Sequence, residues 1–288
     1  MKTYLNCLTC LISHTLKTAR TFSNDERFHE EIAREILETV SKIDLSRTPP
    51  EMGAHIERRI FQMLSLEDPY APLRKKYNSL VLSMLPRFSE QVCTSDNPFE
   101  TAMRLAIGGN IIDFGNQYTM HEELMHETLD RALLDPIFGE SPDVLQEAVA
   151  RANSILYIGD NCGEIVLDKL FIETLGPEKI TFAVRGSPIF NDVIRSDAEE
   201  TGMAQLVPIV DTGQKLPGVL PESASPEFRE VWQRVDFVIA KGQGNYETLS
   251  DTEKPVAFLL KAKCDVIAHH LEVSQGAMVM RLKNMVVL

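Results

Sequence analysis

The 288-residue chain has only five cysteines, one tryptophan, a deficit of positive charge and no apolar run near the roughly 20 residues that span a bilayer. Cys7, Cys10, Cys93, Cys162 and Cys264 are an odd and sparse set. They exclude a secreted disulfide framework and point to a reducing cytoplasm. Lys+Arg total 29 against 42 Asp+Glu, a net charge of −13. An acidic surface repels a phosphate backbone, so no nucleic-acid partner is expected, while a local basic pocket for a small anion stays open. There is no internal repeat and no low-complexity segment. The opening stretch MKTYLNCLTCLISHTLKTAR is broken by Asn6, Thr9, Ser13 and His14 and lacks a clean signal-peptide core. It reads as a helix of the mature chain, with no membrane partner.

What is present is ordinary for a globular protein: 44% hydrophobic and 25% charged residues. At about 150 residues per domain the length suggests one large domain or two modest ones. The first half reads as successive helices. Leu5, Leu8, Ile12 and Leu16 fall at helical spacing, as do Phe28, Ile32, Ile36 and Val40. Pro49 and Pro50 start a third pattern through Met52, Ile56, Ile60 and Met63. Asp68–Pro72 reads as a loop, followed by helical text through Leu80, Leu85 and Phe88 and then from Phe99 to Ile107.

After Pro142 the texture changes. Five continuous apolar runs, 154–158, 180–184, 206–210, 237–240 and 256–260, alternate with the helical stretches 165–175, 193–201 and 228–234. Continuous rather than alternating apolar strands mark a parallel sheet buried on both faces. The expected fold is an α/β Rossmann-like three-layer sandwich with a mostly parallel sheet. An α-helical N-terminal region (1–148) precedes an α/β catalytic region (149–288). The Pro-, Gly- and Ser-containing stretch 211–226 is the longest expected surface loop.

In an open α/β sheet the ligand sits outside the carboxyl ends of the strands. Gly159-Asp160-Asn161-Cys162-Gly163-Glu164 comes after the first run, and Arg185 with Asn191-Asp192 after the second. Asp211-Thr212-Gly213 comes after the third, Lys241-Gly242-Gln243-Gly244 after the fourth, and Lys261-Ala262-Lys263-Cys264 after the fifth. Asp160, Asn161 and Asp192 are hard oxygen donors suited to Mg²⁺ or Mn²⁺. Arg185 and Lys241 suit a phosphate, and the glycines beside Lys241 let backbone approach an anion. Each piece alone reads as readily as a turn, a helix cap or a surface ion pair. Their convergence on one sheet edge favours a site.

Other candidates are weaker. Cys7-x-x-Cys10 lies in a helical pattern with no second pair, which favours buried helical cysteines over a redox or zinc site. His121 and His126 read as surface residues, and His269-His270 as core or surface. Gly108-Gly109-Asn110 interrupts an apolar helical region at a cost in stability. It makes Asn110 and Asp113 candidates to reach the sheet edge, or else marks an inter-helix turn.

Taken together, IGDNCGE, VRGSPIFNDV, AKGQGNYETL and FLLKAKC, with GGNIIDFG upstream and CLTC near the start, resemble the damage-control phosphatase family, also catalogued as domain of unknown function 89. The resemblance runs through nearly the whole chain in order, and the CxxC resembles the prokaryote-type branch. It implies a metal-dependent phosphatase acting on small phosphorylated metabolites, such as sugar phosphates or damaged metabolites. The implied cofactor is Mn²⁺, Co²⁺, Ni²⁺ or Mg²⁺. The family's metal ligands fall on Asp160, Asn161 and Asp192 and its phosphate-contacting lysine on Lys241. Glu164, Arg185 and Asn110 stand where its substrate pocket is expected.

The implied chemistry is a divalent ion that polarises a phosphoryl oxygen and lowers the pKa of a bound water. Lys241 would neutralise phosphoryl charge, and the attacking group is either that water or an aspartate. Two alternatives use the same edge. A strand ending in Gly-Asp-Asn-Cys-Gly also resembles the cofactor loop of an S-adenosylmethionine-dependent carboxyl methyltransferase, although Arg185 stands where an acidic ribose-binding residue is expected. A non-catalytic module that binds a metal or phosphometabolite is the other.

Overall fold

The computed structural model describes residues 1–110 and 122–285. Asp113 and His121 lie outside the described residues. The chain opens with α1 (Leu5–Phe22), α2 (Glu26–Ser41) and α3 (Pro49–Leu64), followed by α4 (Ala71–Thr94), α5 (Pro98–Gly109) and α6 (Glu122–Ala132). The periodic apolar positions fall on helices as expected, with Ile32, Ile36, Met52, Ile56 and Ile60 buried, but α1 buries Leu11, Thr15, Thr18 and Ala19 and leaves Leu5 exposed. Thr48 starts α3 with a capping box to Glu51, and Pro49 occupies the first turn, where its missing N–H costs nothing.

Next come β1 (Ile137–Gly139), α7 (Pro142–Arg151), β2 (Ile155–Ile158), α8 (Glu164–Leu175) and β3 (Ile180–Val184). They are followed by α9 (Arg195–Glu200), α10 (Met203–Leu206), β4 (Ile209–Asp211), α11 (Pro226–Arg234) and β5 (Phe237–Lys241). The described residues close with α12 (Gly242–Leu249), β6 (Val256–Lys261), α13 (Asp265–Leu271) and β7 (Met278–Lys283). The strands form one sheet in the order β1-β7-β6-β5-β2-β3-β4. β6, β5, β2, β3 and β4 are mutually parallel, β7 runs antiparallel to β6, and β1 runs parallel to β7.

Successive strand residues face opposite layers. Ile155, Tyr157, Phe182 and Ile239 join Phe88 of α4, Leu105 of α5 and Phe171 of α8 on one side. Leu156, Ile158, Val238 and Phe258 join Phe228 of α11, Tyr246 of α12 and Ile267 of α13 on the other. This is the expected three-layer α/β sandwich. A third, separate cluster, with Leu11, Ile32, Ile36, Ile56, Ile60 and Phe61 at its centre, holds α1–α3 together as a cap.

Three details differ from the sequence reading. The sheet has seven strands among the described residues rather than five, because β1 has three residues and is defined by its pairing with β7. The run 206–210 is divided: Val207 N–H closes the α10 turn on Met203 O, and the strand begins only after Pro208, which has no N–H to give. Lys241, placed after the fourth apolar run, is the last residue of β5, and Gly242-Gln243-Gly244 open α12 at once rather than form a turn.

Candidate functional site

The strand order places β2 between β3 on one side and β5 on the other, and the chain crosses back over the sheet between β4 and β5. That is the switch point at which open α/β sheets leave a crevice. Asp160 and Asn161 leave β2 there. Asp192 arrives on the loop after β3, held by backbone hydrogen bonds from Cys162 N–H to Asn191 O at 2.8 Å and from Val193 N–H to Asp160 O at 2.9 Å. Gly242 meets the same point with φ +77°, and a Cβ there would stand 1.9 Å from Asp160 Oδ2. Only glycine lets β5 turn into α12 this close to the carboxylate.

Asp160, Asn161 and Asp192 form part of the wall of a cavity of about 470 Å³. Lys263, Cys264, Gln243, Gly244 and Glu247 line it from the sheet side, and Cys7, Cys10, Ser13, His14 and Lys17 of α1 from the cap. Pro49, Pro50 and Gly53 of α3, with Tyr70 and Phe190, add apolar surface. Phe190 sits at φ +44°, its N–H donating to Glu57 Oε1 of α3 at 2.9 Å. The cap thus grips the loop that carries Asp192.

Burial, with Glu164 nearby, pushes the Asp160 carboxyl up to about 6, against the pull of Lys263 and Arg185. Burial and Asp160 push Asp192 up to about 7, against Arg185 and Lys263. Burial likewise raises Glu247 to about 7. Around this point the five buried acids Asp160, Glu164, Asp168, Asp192 and Glu247 outnumber the three cations Arg185, Lys241 and Lys263. Such an excess of buried negative charge calls for an additional cation or proton.

The damage-control phosphatase ARMT1-like domain matches residues 3–279. The chain is 31% identical to a damage-control phosphatase of Archaeoglobus fulgidus over 282 residues, covering 96% of this chain and 97% of that one. It is 31% identical to damage-control phosphatase PH1575 of Pyrococcus horikoshii over 288 residues, covering 97% of each. The crystal structure of PH1575, a DUF89 family protein, superposes with a TM-score of 0.88 at 30% identity, covering 99% of this chain and 100% of that one. The chain belongs to the damage-control phosphatase family.

In this family member the seven residues singled out from the sequence fall into two groups. Asp160, Asn161 and Asp192 line the cavity. Asn110, Glu164, Arg185 and Lys241 do not; all four are buried to within 1% behind it. Arg185, expected to bind substrate, donates from Nε to Asp192 Oδ2 at 2.6 Å and from Nη1 to Asn245 Oδ1 at 3.2 Å. Its Nη2 lies 3.6 Å from Asp160 Oδ1. Lys241, expected at the phosphate, is committed to Glu164 Oε1 at 2.6 Å, Asp168 Oδ1 at 2.5 Å and Ala106 O at 2.8 Å. An ammonium has three protons to donate, and those acceptors use all three. β3 and β5 point these cations into the protein, behind the acids.

Asn110 reaches the sheet edge, as the break at Gly108-Gly109 suggested. Its Nδ2 donates to Asp160 Oδ2 at 2.7 Å and Glu164 Oε2 at 3.0 Å. Gly109 permits this approach, since a Cβ there would stand 2.9 Å from Leu167 Cδ1. On the sheet side the lysine that lines the cavity is Lys263, two residues beyond β6. Its position after a strand end was the available signal. Cys7 and Cys10 lie on a helix but are half-buried and exposed, because α1 turns that face to the cavity. No helix among the described residues is long and apolar enough to cross a membrane.

Proposed function

We propose that this chain hydrolyses phosphate monoesters of small, damaged or by-product metabolites, sugar phosphates among them, with a divalent metal held by Asp160, Asn161 and Asp192. The observation that carries this reading is the convergence of those three oxygen donors with Lys263 on one cavity at the switch point, in a chain of this phosphatase family.

The donor set fits such an ion. Among the described residues no group of three or more His, Cys, Asp or Glu gathers to hold a metal. The set is therefore two carboxylates and an amide oxygen, hard donors that leave positions open for water and a phosphoryl oxygen and suit Mg²⁺ or Mn²⁺. Co²⁺ and Ni²⁺ complete the candidates. When bound, the ion would supply Lewis-acid polarisation of the phosphoryl group and a more acidic water.

The chain's own residues do the rest. Arg185 holds Asp192 and Asp160 in place and keeps their mutual repulsion in check. Lys263 stands beside both carboxylates, where an ammonium attracts the incoming phosphate dianion and offsets charge on its oxygens during transfer. The α1 face of the cavity receives the rest of the ester. Arg185 also weighs against the methyltransferase reading, since it fills the ribose-binding position at the end of β3 and is consumed by two aspartates.

The test is phosphate release from p-nitrophenyl phosphate and a sugar-phosphate panel. EDTA-stripped protein is assayed with Mn²⁺, Co²⁺, Ni²⁺, Mg²⁺ or no metal. Metal-dependent release that falls at least ~10³-fold in a folded Asp160→Ala variant is the expected result. Equal turnover in that variant, or no release with any metal, overturns the reading.

A further inference from the structure

Lys241 sits where three elements meet: it ends β5, its Nζ donates to Ala106 O in α5, and it pairs with Glu164 and Asp168 one turn apart on α8. Asp168 Oδ1 also accepts from Tyr157 OH at 2.7 Å. Burial alone would lower the Lys241 ammonium, but Asp168 and Glu164 outweigh it and hold its pKa above the ordinary lysine value. The lysine is therefore a fixed, charged centre, buried and not among the described residues that line the cavity.

Its effect passes outward through Glu164. While Oε1 of that carboxylate takes the lysine, Oε2 takes two amides: Asn110 Nδ2 at 3.0 Å and Asn161 Nδ2 at 3.0 Å. Both amide nitrogens also donate to Asp160 Oδ2, at 2.7 and 2.6 Å. A carboxylate only accepts, so these contacts fix which end of each amide faces it. The oxygen of Asn110 is turned to the Lys261 N–H at 3.3 Å. The oxygen of Asn161 is left as the end not engaged by Glu164 or Asp160, on a residue that lines the cavity.

We propose that Lys241 is a positioning residue for the metal site: by fixing Glu164 it orients the Asn161 amide with its oxygen toward the cavity and holds the shared oxygen of Asp160 in place. This rests on the metal-site reading above. It replaces a phosphate contact with a role one layer behind the ligands, of the kind whose loss costs metal affinity.

The test is Mn²⁺ binding to the metal-free protein, read by the EPR signal of free Mn²⁺, alongside kcat and KM for the best ester. Lys241→Met and Glu164→Gln are the variants. A glutamine at 164 must turn an NH₂ either toward Lys241 or toward the two asparagine NH₂ groups, so it breaks the same relay without removing the lysine. Both variants are expected to lose about 10–100-fold in Mn²⁺ affinity, with kcat falling and KM for the ester within about threefold. A folded variant of either kind with Mn²⁺ affinity and kcat near those of the unaltered protein overturns the proposal. So does a Lys241→Met variant in which KM alone rises, the mark of a phosphate contact.

Should neither variant fold, a crystal structure of the unaltered protein with Mn²⁺ and inorganic phosphate decides. Asn161 Oδ1 on the ion, with Lys241 still on Glu164 and Asp168, supports positioning; Lys241 on the phosphate overturns it. Failure of the unaltered protein to bind Mn²⁺ at all removes the metal-site reading itself, and is thereby distinguished from failure of the relay.

Discussion

On the sheet side of the cavity Asp160, Asn161 and Asp192 are 3–6% exposed, and Asp160 and Asp192 lean on Arg185. On the cap side Asn6, Cys10, Ser13 and Lys17 lie along one face of α1, carried by a core separate from that of the sheet. The two walls therefore do different things. Polar groups fixed before a substrate arrives need no reorganisation when charge develops. Side chains on the outer face of a helix adapt to the shape of what enters. Under the proposed function, reaction type belongs to the first wall and choice of ester to the second.

Three changes probe that division, from large effect to small. Arg185→Met removes the cation between two buried carboxylates, a loss of about 3–5 kcal/mol when one partner of a buried pair goes. A Tm drop on the order of 10 °C is expected, partly recovered by Mn²⁺, which brings positive charge back to the same acids. An unchanged Tm would mean the sheet wall is not electrostatically fixed. Lys263→Ala alters a cavity-lining side chain outside the strands and helices. KM for a phosphate monoester is expected to rise about 10–100-fold, the worth of one charged hydrogen bond, with Tm within a few degrees. A large Tm loss would place Lys263 with the structural cations instead.

The third change is at Glu57, the cap's hold on the Asp192 loop. Burial raises its carboxyl from the ordinary glutamate value to about 8, against the pull of the Phe190 N–H. The folded chain thus binds this proton more tightly than the unfolded chain does. The stability it contributes is complete below the ordinary glutamate pKa of about 4.3 and is lost as pH rises through about 8. Glu57→Gln is expected to flatten that slope, seen as a smaller Tm difference between about pH 5 and about pH 8.5 than in the unaltered protein. An identical slope would show that the cap and the loop are not coupled through this carboxyl.

Much of this arrangement was legible in the residues. Continuous apolar runs announced the buried parallel strands, and the polar residues just beyond each run included Asp160, Asn161 and Asp192. The glycine break before Asn110 pointed to a reach across the molecule. The direction of a side chain at a strand end was not legible. Lys241 and Lys263 both stand at such ends beside small residues, but the pleat sends one into the layer beneath α5 and α8 and the chain beyond β6 brings the other to the cavity. Charge alone favoured both equally. Nor were β1 and β7 legible: Ile137–Gly139 is too short to carry a pattern, and its strand character exists only opposite Met278–Met280.

That last pairing sets a timetable for the newborn chain. β1 leaves the ribosome with its side of the sheet unbuilt, and its partner is synthesised roughly 140 residues later. At typical translation speeds that is a wait on the order of ten seconds, long beside the collapse of a helical cap. β7 is the piece that joins β1 to β6, so this edge of the sheet can close only once β7 has been made.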